Sequence, residues 1–380
     1  MIYFDNSATT VPYKEVMDTF LTVSTKYFGN PSSLHGVGAK AEQLLSKARQ
    51  QIAQLLEIKE QEVYFTSGGT EGNNLAIKGA ALAFKNRGKH IITTAIEHPS
   101  VKLACEQLKD VGFEITEVPV DVNGRIRVED VKKAIRKDTI LVSIMHVNNE
   151  IGSIQPIEEI GNLLRDYPKI LFHVDYVQGI GKVPLSIKKS GVDLCTLSGH
   201  KFHALKGTGV LYIREGVRIS ALFSGGSQER KIRSGTENVA GAVALAKALR
   251  LSLDKMNREN QRLFQIHQFL RKELEKMDDL VIHTPEDGYA PHIINFSVPG
   301  IKSEVLVHAL EDQGIYVSTT SACSSKKKSI SDVILQMTNN EALASSSIRV
   351  SLSYENELEE AKQFIKTLKN VLKNLKEVMR

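Results

Sequence analysis

The chain has 380 residues, 42% hydrophobic and 24% charged, the balance of an ordinary globular protein long enough for two or three domains. Its 49 Lys and Arg against 44 Asp and Glu leave a net charge of +5, too mild at this length to argue for a nucleic acid or any other acidic partner. No apolar run approaches the ~20 residues that span a bilayer, Met1–Asp5 resembles neither a signal peptide nor an anchor, and three scattered cysteines, Cys105, Cys195 and Cys323, argue against a zinc or paired-thiol site and suit a reducing cytosol.

In chain order, residues 2–10 read as a short strand entering the polar turn Asp5-Asn6-Ser7-Ala8-Thr9-Thr10, and Pro12 precedes a helix. The breaker-rich loop 28–33 follows. Between 37 and 57, Val37, Ala41, Leu44, Leu45, Ala48, Ile52, Leu55 and Leu56 fall mostly at steps of three and four, the spacing of an amphipathic helix. A strand at 62–66 runs into Ser67-Gly68-Gly69-Thr70-Glu71-Gly72, which opens a helix to about 85. A glycine-rich turn there leaves backbone N–H groups for an anion, with Thr70 adding a hydroxyl. The same letters also serve a plain capped turn, and the phosphate-loop pattern GxxxxGKS/T is missing. Strands at 89–94, 113–118, 139–145, 170–175, 193–198 and 209–213 then alternate with helices at 99–110, 128–136 and 157–166. This is an α/β pattern. It predicts a mostly parallel, seven-stranded sheet covered on both faces.

After residue 213 the pattern changes. A polar, glycine-rich stretch at 223–236 leads into a long helix at 239–277, expected to bend or break near Asn257. Strands at 291–298, 315–318 and 347–353, with helices at 303–313 and 355–379, suggest a small α/β domain. We expect a large domain over 13–255 and a small one combining 1–12 with 256–380.

Ligands of such sheets bind beyond the carboxyl ends of the strands. Thr70, His98, Asn149, Asp175, Gln178, His200 and Lys201 all fall at or just past those ends. The strand at 193–198 closes on Ser198-Gly199-His200-Lys201, and Asp175 closes the one before it. A lysine so placed can form a Schiff base with pyridoxal phosphate (PLP). Alone, Lys201 reads as one more solvated lysine; the shared placement makes the case.

Seven motifs then carry a resemblance over nearly the whole chain. They are Ser67-Gly68-Gly69-Thr70-Glu71, Glu97-His98, His146-Val147-Asn148-Asn149-Glu150, His173-Val174-Asp175 with Gln178, Ser198-Gly199-His200-Lys201, Arg233-Ser234-Gly235-Thr236 and Ser347-Ile348-Arg349. Together they resemble the cysteine desulfurases of the NifS/IscS type, PLP enzymes of the class V aminotransferase group. The resemblance implies PLP-dependent transferase fold type I, the aspartate aminotransferase-like architecture. It implies Lys201 as the Schiff-base lysine and proton shuttle, with Asp175 against the ring nitrogen. Gln178 and Asn149 would contact the ring hydroxyl, and His98 would stack on the ring and assist proton transfer. The phosphate would rest on Gly69, Thr70, Ser198 and His200, and Thr236 would reach the phosphate of the other subunit of a homodimer. Arg349, with Asn149, would bind the substrate, Arg349 pairing bidentately with its carboxylate.

Cys323 sits in Ser321-Ala322-Cys323-Ser324-Ser325-Lys326-Lys327-Lys328-Ser329, a polar stretch without apolar anchors, expected to be mobile. Three lysines favour a thiolate, or are simply a solvated face. Cys105 and Cys195 fall within apolar patterns and read as core. The resemblance implies conversion of L-cysteine to L-alanine with a persulfide on Cys323, whose sulfur passes to an acceptor protein for iron–sulfur cluster assembly or tRNA thiolation. No metal is expected in the active site, although Cys323 could ligate an iron–sulfur cluster during transfer. A cytoplasmic protein with no membrane partner and no direct nucleic-acid contact is expected. The alternatives are a selenocysteine lyase or class V transaminase, the latter with no use for Cys323, and a cofactor-free RNA-binding module. Two stretches depart from the common pattern: Tyr176-Val177 replaces Ala-Thr, and Phe202-His203-Ala204-Leu205 replaces Ile-Tyr-Gly-Pro. The chain ends soon after its last helix, so a scaffold-docking extension is expected to be short or missing.

Overall fold

A computed structural model describes residues 1–319 and 330–379. The main sheet has seven strands in the order Val63–Thr66, Gly209–Ile213, Leu194–Ser198, Leu171–Asp175, Thr139–Met145, His90–Thr94 and Glu114–Val118. Gly209–Ile213 runs against both neighbours; the remaining pairs are parallel. The central strands are buried along their whole length, which explains why they read as continuous apolar runs rather than alternating ones.

Successive residues of each strand point to opposite faces, and the core divides accordingly. Leu141, Leu171, Leu194 and Leu211 pack under the helices Gly69–Phe84 and Pro99–Lys109. Their neighbours Val142, Phe172, Cys195 and Tyr212 pack on the other face, with Gly36–Leu55, Ile157–Leu164 and the start of the long helix. Gly72 lets the first of these helices lie close to the sheet, since a Cβ there would come 2.6 Å from Thr196 Cγ2. That close approach brings Asn73 down to the strand ends.

The long helix is continuous from Val239 to Leu274. The break expected near Asn257 is absent. Asn costs a helix only a few tenths of a kcal/mol relative to better formers, Asn257 is exposed, and Glu259 pairs with Arg262 across the next turn. The helix serves two cores: Ala242 to Leu249 join the main one, whereas Leu263, Ile266, Leu270 and Leu274 join a second. That second core lies on an antiparallel sheet of Ser318–Thr319, Ser347–Ser351, Ile293–Ser297 and Val281–Ile282.

The single strand expected at 315–318 is two. Ile315–Tyr316 pairs in parallel with Ile2–Tyr3, whereas Ser318–Thr319 joins the four-stranded sheet. Val281–Ile282 and the short helices Asp332–Thr338 and Glu341–Ser345 are additions too brief to show a period in sequence. The chain start is pinned here: Phe4 is buried edge-on against Phe364, with ring centroids 5.8 Å apart, and Asp5 bridges to Ser351. Among the described residues, no helix is long and apolar enough to cross a membrane.

Candidate active site

The carboxyl ends of the central strands open on a cavity of about 530 Å³, within the usual range for small-molecule sites. Gly69, Thr70, His98, Asn149, Asp175, Gln178, Ser198, His200, Lys201 and Arg349 all line it. Thr236 does not. It lines a smaller hollow of about 220 Å³ with Thr66, Ser67 and Gly235.

Lys201 ends a single 3₁₀ turn, Gly199–Lys201, that follows directly on the strand Leu194–Ser198. Its Nζ donates to the carbonyls of Ser7 (2.5 Å) and Ala8 (2.8 Å). The N-terminal segment laces over this turn. Thr10 donates to the His200 carbonyl from its backbone N–H (2.9 Å) and its hydroxyl (3.0 Å). Thr9 Oγ1 lies 3.1 Å from His200 Nδ1. Burial, then the charges of Lys201 and Lys206, push His200 down to about 4, so it is neutral at neutral pH.

Asp175 closes the neighbouring strand and is buried. One oxygen accepts from Asn73 Nδ2 (2.7 Å) and the other from the Val177 N–H (3.0 Å). Both partners are neutral, so the carboxylate suits a cationic ligand atom. Asn73 also donates to Ser100 Oγ (2.9 Å), which lies 2.8 Å from His98 Nδ1. His98 is the N-cap of Pro99–Lys109, and its Nδ1 accepts from the Ser100 N–H at 3.1 Å. Burial, and secondarily Lys201, lower the pKa of His98 against the opposing pull of Asp175. His146 and His173, from the same motifs, are core groups pushed down to about 3 by burial; His173 bonds Ser143 and Thr196.

At the opposite end, Gly68 turns with φ +150°, a value that favours glycine. It releases the backbone into the sixteen-residue helix Gly69–Phe84, whose N-terminus faces the cavity with Thr70, Ser198 and His200 beside it. Glu71 accepts from the Ser67 N–H (2.8 Å) and pairs with Arg233 (2.8 Å). Burial pushes Glu71 up, but these bonds outweigh it and its pKa is lowered. Val177, one of the departures, lines the cavity against Gly69. His203, another, has φ 63° and stacks on Tyr13 with ring centroids 4.2 Å apart.

Arg349 comes from the antiparallel sheet and is 6% exposed. Its Nη1 donates to the Asn149 carbonyl (2.8 Å) and its Nη2 to Asp5 (2.9 Å). Gln178 Nε2 donates to the Ser7 carbonyl at 3.1 Å. Cys323 lies outside the described residues. Cys105 and Cys195 are buried, and burial pushes Cys105 up to about 12 and raises Cys195 as well.

The matching family model is aminotransferase class-V, over residues 2–364. The chain belongs to that family, on its cysteine desulfurase branch. It is 47% identical to a NifS/IcsS protein homolog of Lactobacillus delbrueckii subsp. bulgaricus, over 100% of this chain and 99% of that one. It is 42% identical to a cysteine desulfurase IscS of Dictyoglomus turgidum, over 99% and 96%. A solved structure of a NifS-like protein superposes with a TM-score of 0.93 at 37% identity, covering 98% of this chain and 99% of that one. The family is PLP-dependent, and the residues present fit that cofactor. Lys201 offers an amine, Asp175 a buried carboxylate held by neutral donors, and the Gly69 helix N-terminus an anion seat, all around one cavity.

Sequence reasoning missed Asn73, Ser100, Asp5 and the Ser7 and Ala8 carbonyls as site groups. Asn73 had a signal, a polar residue on the helix face that Gly72 brings against the sheet. The carbonyls had none, because backbone atoms carry no letter.

Proposed function

We propose that this protein is a cysteine desulfurase. It converts L-cysteine to L-alanine, leaves a persulfide on Cys323, and passes that sulfur to an acceptor protein for iron–sulfur cluster assembly or tRNA thiolation. The observation that carries this reading is the single cavity that brings Lys201, Asp175 and His98 together with a buried guanidinium, Arg349, from the other sheet.

In this reading Arg349 takes the substrate carboxylate, and Asn149 and Gln178 border the ring. Bound through Lys201, PLP supplies an electron sink beside the substrate's α-carbon. Asp175 would face the ring nitrogen and favour its protonated form. Lys201 would move a proton at the substrate's α-carbon, and His98 would assist that transfer. The Cys323 thiolate attacks the substrate sulfur. The carbon–sulfur bond breaks, its electron pair stays on the β-carbon, and that carbon takes a proton. Alanine leaves, and the sulfur remains as Cys323–S–S⁻ with no outside oxidant.

The protein acts as a cytoplasmic homodimer on this reading. Support comes from Thr236, which lies apart from the cavity of its own chain, and from the exposed Phe28 and Leu34 ahead of the helix Gly36–Leu55. The two units are residues 13–255 and residues 1–12 with 256–380, joined through the long helix.

The test is to measure alanine and sulfide from L-cysteine with a thiol reductant, comparing wild type with Cys323→Ala. Alanine production should fall by at least about 10²-fold in the variant. Full turnover by the variant contradicts the persulfide step.

A further inference from the structure

We propose that His98 is held as the tautomer carrying its hydrogen on Nε2, and that Asn73 and Ser100 are positioning residues that impose this through a one-way hydrogen-bond chain from Asp175. The inference deepens the reading above and rests on it only for what His98 faces.

The direction of the chain follows from its fixed end. A carboxylate only accepts, so the 2.7 Å contact of Asp175 with Asn73 requires the amide nitrogen to face it. The second hydrogen of that nitrogen goes to Ser100 Oγ at 2.9 Å. Accepting there, the Ser100 hydroxyl has its own hydrogen for His98 Nδ1, 2.8 Å away. The Ser100 backbone N–H, which can only donate, also reaches Nδ1 at 3.1 Å. Two donors converge on one ring nitrogen, so the neutral ring carries its hydrogen on the other.

Asp175, Asn73 and Ser100 are 6%, 1% and 8% exposed, so water competes little for these bonds. Burial keeps the ring neutral. The helix cap and Pro99 fix where Nδ1 points. Toward the cavity His98 therefore starts each turnover as a donor. With its hydrogen already on Nε2 the ring offers no lone pair to the cavity, and taking a proton on Nδ1 breaks two bonds. The first proton acceptance falls to Lys201, which lines the same cavity.

The test is nitrogen NMR of holoenzyme labelled with ¹⁵N-histidine, its His98 signals assigned by their loss in His98→Gln. Wild type should show a pyrrole-type Nε2 and a pyridine-type Nδ1. Ser100→Ala should shift the Nδ1 signal toward fewer bonded donors. It should also lower kcat for alanine about tenfold while KM for cysteine stays within about twofold. Ser100→Thr, which keeps the hydroxyl, should restore both. A pyrrole-type Nδ1 in wild type, in a neutral or a charged ring, overturns the tautomer. Ser100→Ala with both Nδ1 and kcat unmoved overturns the chain. The nitrogen signals decide even if the protein makes no alanine, so failure of this inference and failure of the proposed activity read out separately.

Discussion

The two walls of the cavity are assembled by different means. On one wall, Asp175, Ser198, His200 and Lys201 lie at or within three residues of the carboxyl ends of two adjacent parallel strands of the main sheet. On the other, Asp5, Asn149 and Arg349 come from three distant parts of the chain and meet at the Arg349 guanidinium, Asp5 being carried there by the N-terminal strand. The first wall is positioned by a buried sheet with apolar packing on both faces. The second also has a buried strand behind it, Ser347–Ser351, but its three groups are tied to one another by polar bonds around one cation. On the proposed reading, chemistry that needs fixed geometry sits on the first wall and recognition of the substrate carboxylate on the second.

Lys201→Ala strikes the first wall and should have the largest effect. Turnover of cysteine should fall by at least about 10³-fold, with thermal stability little changed, because the substitution removes the cation itself and leaves the Ser7 carbonyl with Gln178 as a donor. An alanine assay beside a melting curve checks this. Arg349→Lys strikes the second wall. A point charge replaces a fork, so KM for cysteine should rise about tenfold or more while the cofactor spectrum stays as in wild type. A changed spectrum with unchanged KM would erase the division between the walls.

Asp5→Asn sharpens it. The amide keeps an acceptor for Arg349 Nη2 and removes the charge that opposes an incoming carboxylate. KM for cysteine should fall about fivefold, the equivalent of about 1 kcal/mol, and steady-state kinetics with the variant measure it directly. A rise would mean that Asp5 serves mainly to order the guanidinium.

The smallest effect concerns Glu71 and Arg233, which tie the glycine-rich turn at 67–70 to the glycine-rich loop before the long helix. The folded pKa of Glu71 lies below its ordinary 4.5. Its stabilisation is therefore present above that value and is lost as pH falls through the folded pKa. Glu71→Gln should cost about 1 kcal/mol at pH 7 and progressively less below about pH 4, by urea unfolding. A cost that does not change with pH would assign the loss to packing instead.

This contrast also explains what could be read from the letters. Strand ends are legible because apolar runs stop at polar residues, so Asp175, Ser198 and Lys201 could be placed before any coordinates. The seven-stranded sheet followed from the same runs. Arg349 was found only through its motif, and its partner Asp5 stayed hidden because 344 residues separate them. Asn73 and Ser100 were hidden for another reason. Each looks like an ordinary helix-start residue, and only the close approach at Gly72 turns Asn73 toward Asp175. The continuous helix through Asn257 shows the limit of local propensity, since two cores along its length hold it together.

The central claim is that the amine of Lys201 holds the cofactor. Borohydride reduction of the holoenzyme, followed by peptide mapping, tests it most directly. The account predicts a stable pyridoxyl phosphate adduct on Lys201 alone; an adduct on any other lysine, with Lys201 unmodified, would contradict it.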